Sequence, residues 1–143
     1  MNPKEILEKE LLGAFISRFS VGDTWEIYFG KYWLVAQNII SEDEEILNQW
    51  ILNNYEYSKD TVDKENIAKS AIVAANMRKV VIGLKLDDRY NLTIEFENGS
   101  NLLIPTNEDI VDWQWCFNKS GGDPYQDYLV ACFWEGEVEF KNH

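Results

Sequence analysis

The chain has 143 residues, 45% of them hydrophobic, with six Trp, seven Tyr and seven Phe, and its 13 basic and 25 acidic side chains give a net charge of −12. That length predicts one domain able to bury roughly 70% of the surface its unfolded chain exposes, and the aromatic content excludes disorder. No apolar run reaches the ~18 residues of a membrane span, the acidic balance repels phosphates and anionic lipid, and the charged start MNPKEILEKE holds no secretory apolar stretch, so a cytoplasmic location is the default.

The first element reads as a helix. Asn2 can cap it, Pro3 suits its first turn, Glu5 completes a capping box, Ile6, Leu7 and Leu11 mark its buried side, and Gly13 ends it. From Ala14 the period changes to two, with Phe15 and Phe19 alternating with Ile16 and Arg18. Val21-Gly22-Asp23 makes a turn, Trp25, Ile27 and Phe29 alternate with Glu26 and Tyr28, and YWLVAQNI from Tyr32 is a third strand. Ser41 opens a second helix through the capping box SEDE, with Ile46, Leu47, Trp50 and Ile51 on its inner face. The acids at 42–45 suit that helix's dipole, which accounts for them structurally. NNYEYSKD is a polar connection, and residues 61–77 form an Ala-rich third helix with Ile67, Ala71 and Ala74 inward.

Strand periodicity then resumes. Val80, Ile82, Leu84 and Leu86 alternate with Lys79, Val81, Gly83 and Lys85, and Asp87-Asp88-Arg89 turns. Leu92, Ile94 and Phe96 alternate with Thr93, Glu95 and Glu97, Asn98-Gly99 makes a tight hairpin, and NLLIP returns. Phe15, Ser17, Phe19, Trp25, Ile27 and Phe29 match Ile82, Leu84, Leu86, Leu92, Ile94 and Phe96 at a spacing of 67, and a longer turn sets Trp33, Leu34 and Val35 against Leu102, Leu103 and Ile104. The chain thus reads as a pseudo-repeat, 3–54 and 61–117, followed by a C-terminal hairpin within 110–140. In that last part Val111, Trp113, Trp115 and Phe117 share one strand face, and Asp112, Gln114 and Cys116 the other, solvated one. Lys119 to Pro124 turns, 127–134 is a strand, and Val138-Glu139-Phe140 continues it or pairs back. The expected fold is α+β: mainly antiparallel sheet built from two similar three-stranded meanders, with about three helices.

Chemistry is narrowed by what is missing from the sequence. The single histidine is His143, so histidine-based nucleophilic triads have no base; there is no Cys-x-x-Cys and no Gly-rich phosphate loop. Cys116 and Cys132 read as buried thiols of a reducing compartment. Basic residues are few and scattered, which disfavours nucleic acid. No metal, cofactor or catalytic residue is expected. Carboxylate pairs such as Glu95 and Asp112 could still serve as general acid and base, the one enzymatic route left.

Charge distribution points elsewhere. From Glu95 to Glu139, ten carboxylates face only Lys119. Acids with interleaved aromatics on a stiff sheet can steer in a basic protein partner and anchor it, so Glu95, Glu97, Glu108, Asp109 and Asp112 with Tyr90, Tyr125 and Tyr128 are the candidate binding residues. Tyr28 and Tyr32 are further tyrosines not needed inside.

The hairpin IEFENGSNLLIP, residues 94–105, in a small, acidic, aromatic-rich α+β chain resembles the immunity proteins of bacterial contact-dependent and polymorphic toxin systems. That resemblance implies stoichiometric neutralisation of a cognate toxin, commonly a nuclease with a basic groove, and carries over no particular residue. The competing expectations are a small-ligand-binding or structural interaction domain and, last, a carboxylate-based enzyme.

Overall fold

The computed structural model describes residues 1–110 and 112–141. Val111 and His143, each given a place in the sequence reading, lie outside the described residues. The helix α1 (Pro3–Leu11) starts as expected: Asn2 accepts from the Glu5 backbone N–H at 2.9 Å and donates to the Glu5 carboxylate at 2.9 Å. Its buried stripe is Ile6, Leu7 and Leu11.

Two antiparallel sheets follow. The strands β1 (Arg18–Val21), β2 (Trp25–Phe29) and β3 (Tyr32–Ala36) form a meander. After α2 (Glu44–Asn54), a 3-10 turn (Glu56–Asp60) and α3 (Glu65–Asn76), a second meander is built by β4 (Val81–Leu86), β5 (Leu92–Phe96) and β6 (Asn101–Ile104). The strands β7 (Trp115–Lys119), β8 (Val130–Cys132) and β9 (Val138–Phe140) extend the first meander into a six-stranded sheet ordered β1-β2-β3-β7-β8-β9. The second meander stays a separate three-stranded sheet. Side chains of both sheets, α1 and α3 meet in one core, in which Trp115, Phe96, Phe117, Ile27, Leu34 and Ile94 are fully buried. Beyond the two sheet ladders, Ile40 and Leu103 of β6 exchange backbone hydrogen bonds of 2.8 and 2.9 Å, stitching the exit of β3 to β6. Among the described residues no helix is long and apolar enough to cross a membrane.

The two meanders are similar but not in the register expected. The spacing of 67 holds for β2 and β5, whose matched pairs Trp25/Leu92, Ile27/Ile94 and Phe29/Phe96 are all buried. On the next strand Ile27 faces Leu34 while Ile94 faces Leu102, so Leu34 corresponds to Leu102 rather than Leu103. On the preceding strand Phe19 faces Ile27 while Leu84 faces Ile94, so Phe19 corresponds to Leu84. The first is a one-residue error, which reverses every side chain, and the second a two-residue error, which keeps the face; the register answers to turn length and burial together.

Several faces also differ from the reading above. Ile16, not Phe15, is buried. A bulge between Val81 and Gly83 leaves Ile82 without a cross-strand partner, which turns Val81 inward and Ile82 to solvent while Leu84 keeps its place. The helix α3 begins at Glu65 and buries Ala68, Ile72 and Val73, leaving Ala71 and Ala74 exposed. Apolar residues lie almost all round it, and the larger Ile72 and Val73 gain most from burial. The helix α2 begins at Glu44, with Ser41 in the turn before it accepting the Glu44 N–H on its carbonyl and the Asp43 N–H on its hydroxyl, and packs chiefly on α3. With one helical neighbour it buries Ile51 and part of Leu47, while Ile46 and Trp50 face water.

The C-terminal part departs most. Regular strand starts only at Trp115, and Trp113 and Trp115 do not point together: Trp115 enters the main core, whereas Trp113 joins Val35 and Cys116 in a second, smaller cluster flanked by Trp33, Tyr128 and Phe133. The face expected to be wet is therefore covered, with Gln114, Cys116 and Asn118 all buried. The strand expected over 127–134 is regular only in β8, and Val138–Phe140 pairs back on it as β9.

Candidate functional site

Between β6 and β7 the described residues 105–110 and 112–114 are irregular and braced from inside. Thr106 is buried, donates its hydroxyl to the Arg89 carbonyl at 2.9 Å, and its N–H donates to Asn91 Oδ1 at 2.9 Å. The fully buried Gln114 accepts from the Glu108 N–H at 2.9 Å and donates to the Ile110 carbonyl at 2.7 Å. One side chain thus satisfies the backbone of a short irregular stretch, as burial requires. The consequence is that the backbone carrying Glu108 and Asp109 is tied to Gln114.

This loop separates two recesses. Glu108 lines one of about 540 Å³ together with Asp23, Glu44, Asp63 and Glu65, acids from three other parts of the chain, and Lys69. Asp112 lines another of about 450 Å³ with Glu137, Glu139, Phe133 and Trp134. Four residues span at most ~14 Å, so the two acidic recesses are near neighbours across the loop.

In the second recess the tyrosines hold the acids. The Tyr125 hydroxyl donates to Asp112 Oδ2, Asp112 Oδ1 accepts from the Trp113 N–H at 2.8 Å, and the Tyr128 hydroxyl donates to Glu139 Oε2 at 2.7 Å. These bonds to the Asp112 and Glu139 carboxylates, followed by desolvation, hold the pKa of Tyr125 and of Tyr128 above the ordinary phenol value. Both phenols therefore stay neutral donors at physiological pH. The ammonium of Lys141 sits 4.8 Å from the centre of the Tyr128 ring. The two ion pairs described, Lys69–Glu44 at 2.9 Å and Lys85–Glu95 at 3.8 Å, involve no carboxylate of this recess.

The predicted binding residues are only partly gathered. Asp112, Tyr125 and Tyr128 converge, and Glu108 and the exposed Asp109 adjoin them on the same loop. Glu95 is on β5 of the three-stranded sheet beside Lys85 and Glu97 lies in the turn after it, so the acids do not form a single sheet face, and Glu95 and Asp112 are carried by different parts of the fold. Tyr90 packs partly against the core and its carbonyl accepts from Trp115 Nε1 at 2.9 Å, and it lines neither recess. Tyr28 stays beside its strand neighbours, donating to Glu26 at 3.0 Å under the Arg18 guanidinium, and Tyr32 stacks on Phe117.

Missed from the sequence were Gln114, Glu137 and Glu139 with Phe133 and Trp134, and the acids of the first recess other than Glu108. The alternation Glu137-Val138-Glu139 could have placed two acids on one strand face. No local signal marks the first recess, because its acids come from distant segments.

Among the described residues no group of three or more His, Cys, Asp or Glu side chains is close enough to hold a metal ion. Cys116 and Cys132 are free, fully buried thiols on adjacent strands, their pKa values pushed up to about 12 by desolvation, with Asp123 and Asp87 respectively adding to it. They are poor nucleophiles, since thiolate is the reactive form. No protein family, curated protein or solved structure matches the chain.

Proposed function

We propose that the chain is a binding protein of the immunity type, which neutralises a cognate bacterial toxin domain stoichiometrically by covering it with an acidic surface. The observation that supports this most is the braced loop that offers Glu108 to one acidic recess and Asp112 to the other. A braced loop between two negative depressions receives a surface with projecting lysines or arginines, such as a nuclease groove, at little cost in ordering. Phe133 and Trp134 supply apolar contact beside the charge. In this reading the protein acts in the cytoplasm, is not an enzyme, uses no cofactor and binds neither nucleic acid nor membrane.

Co-purification from the native cell with mass spectrometry would find the partner, and stopped-flow mixing with its isolated basic domain tests the surface. An equimolar complex is expected, with an association rate that falls at least about tenfold between low and high salt. Reversing charge at Glu108, Asp112 and Glu139 to lysine should slow association further. A rate indifferent to salt and to these reversals removes this surface from the function.

A further inference from the structure

The helix pair α2–α3 carries an apolar groove that the fold leaves open. Ile46 is 78% and Trp50 61% exposed, one helical turn apart on α2, although both fit the apolar stripe of that helix. Opposite them on α3 the exposed Ala71 and Ala75 are also one turn apart, and their small side chains leave a groove of about 430 Å³ whose apolar lining includes Leu47 and Ile72. Its polar lining is Asp43, Asn76, Asn98 and Ser100, with no basic side chain. The exposed acids Glu42, Asp43 and Glu45 cluster at the start of α2 just before Ile46, while Glu44 turns away to pair with Lys69.

We propose that this groove docks a basic amphipathic helix of a partner protein. Paired anchors one turn apart, one of them tryptophan, over a trough of alanines match the way an amphipathic helix lays its apolar face into a groove. The acidic end of the groove, with Asp43 in its lining and Glu42 and Glu45 beside it in the chain, favours lysine and arginine on the incoming helix. A second copy of this chain fits poorly: it carries the same net charge of −12, and its lysine-bearing helix α1 has its apolar stripe in the core. The groove shares no lining residue with either acidic recess, so it stands whether or not the toxin-neutralising reading does.

Calorimetry and NMR of the full chain with three synthetic helical peptides of about five turns test it. The first has a leucine face flanked by lysines, the second keeps the lysines but has serine for leucine, and the third has glutamate for lysine. The first should bind at one equivalent and shift the Trp50 indole N–H signal. Ile46→Ala with Trp50→Ala should weaken it at least about tenfold at unchanged unfolding midpoint, and the other peptides should bind at least about tenfold more weakly. Asp112→Asn with Glu139→Gln should leave the affinity within about twofold. Equal binding of the serine peptide (charge attraction only) or of the acidic peptide overturns the proposal. So does a double alanine variant that binds like the wild type. A wild-type dimer that the same two alanines dissociate assigns the groove to a second copy, and overturns it too.

Discussion

The indole N–H of Trp115 donates to the carbonyl oxygen of Tyr90 at 2.9 Å, joining β7, in the middle of the six-stranded sheet, to the β4–β5 turn of the other sheet. Tyr90 is held with φ +57°, a left-handed conformation that side chains rarely adopt without local support. That support comes from Asp87, which accepts from the N–H groups of Arg89 and Asn91 and from the Asn91 side chain. Desolvation pushes the Asp87 pKa up, but these hydrogen bonds outweigh it and leave the carboxyl below its ordinary range. Trp115→Phe should therefore cost about 1–3 kcal/mol, since a buried carbonyl loses its donor, whereas Trp50→Phe should change nothing beyond ~0.5 kcal/mol. Urea unfolding of both variants checks the contrast.

Gly136 links that turn to the acidic recess. It ends the 3-10 turn before β9 with φ +93°, and a Cβ there would lie 2.4 Å from the Arg89 carbonyl oxygen. The contact is with backbone, so no side chain can move aside. Gly136→Ala should destabilise by on the order of 2 kcal/mol and displace Glu137, just before β9, and Glu139 on it. Amide NMR shifts spreading along Val138–Phe140, together with a lowered unfolding midpoint, are the expected result.

Lys69 is 7% exposed and its ammonium donates to Glu44 at 2.9 Å and to the Ile39 carbonyl at 2.6 Å. It ties α3 to α2 and to the exit of β3. Removing one partner strands the other, so Lys69→Met or Glu44→Gln alone should each cost on the order of 2 kcal/mol, and the pair together clearly less than their sum. A double-mutant cycle by chemical unfolding measures the difference.

Alkaline pH should weaken the fold through the thiols. Cys116 and Cys132 titrate at about 12 in the native chain against an ordinary 9.0, so between those values the unfolded chain has lost protons the native chain retains. Their contribution is thus complete below pH 9 and declines as pH rises toward 12, by at most ~1.4 kcal/mol per pH unit for each thiol. Cys116→Ala with Cys132→Ala should flatten the fall of the urea midpoint above pH 9. The native thiols should also stay unreactive to a disulfide reagent at pH 8 until the chain is unfolded.

Where local interactions decide, the sequence was readable. Asn2, Pro3 and Glu5 act within one turn to start α1, Asn98-Gly99 fits only a tight reversal, and Trp25, Ile27 and Phe29 alternate over a strand covered on one side. Each of these depends on neighbours a few residues away, which a linear chain displays. Two meanders and three helices follow from such signals, and so does the acidic character of the second half.

Which face each element turns inward was settled by its neighbours in space. Val81 and Ile82 exchange faces because a bulge intervenes, and Trp50 is exposed because α2 packs chiefly on α3 through its other residues. Trp113 parts from Trp115 because Gln114 is drawn inside to satisfy the loop backbone, which ends the alternation before β7 begins. The recesses share this origin. Asp23, Glu44, Asp63, Glu65 and Glu108 meet through contacts between segments far apart in the chain, and long-range packing of that kind leaves no periodic mark on the residues it brings together.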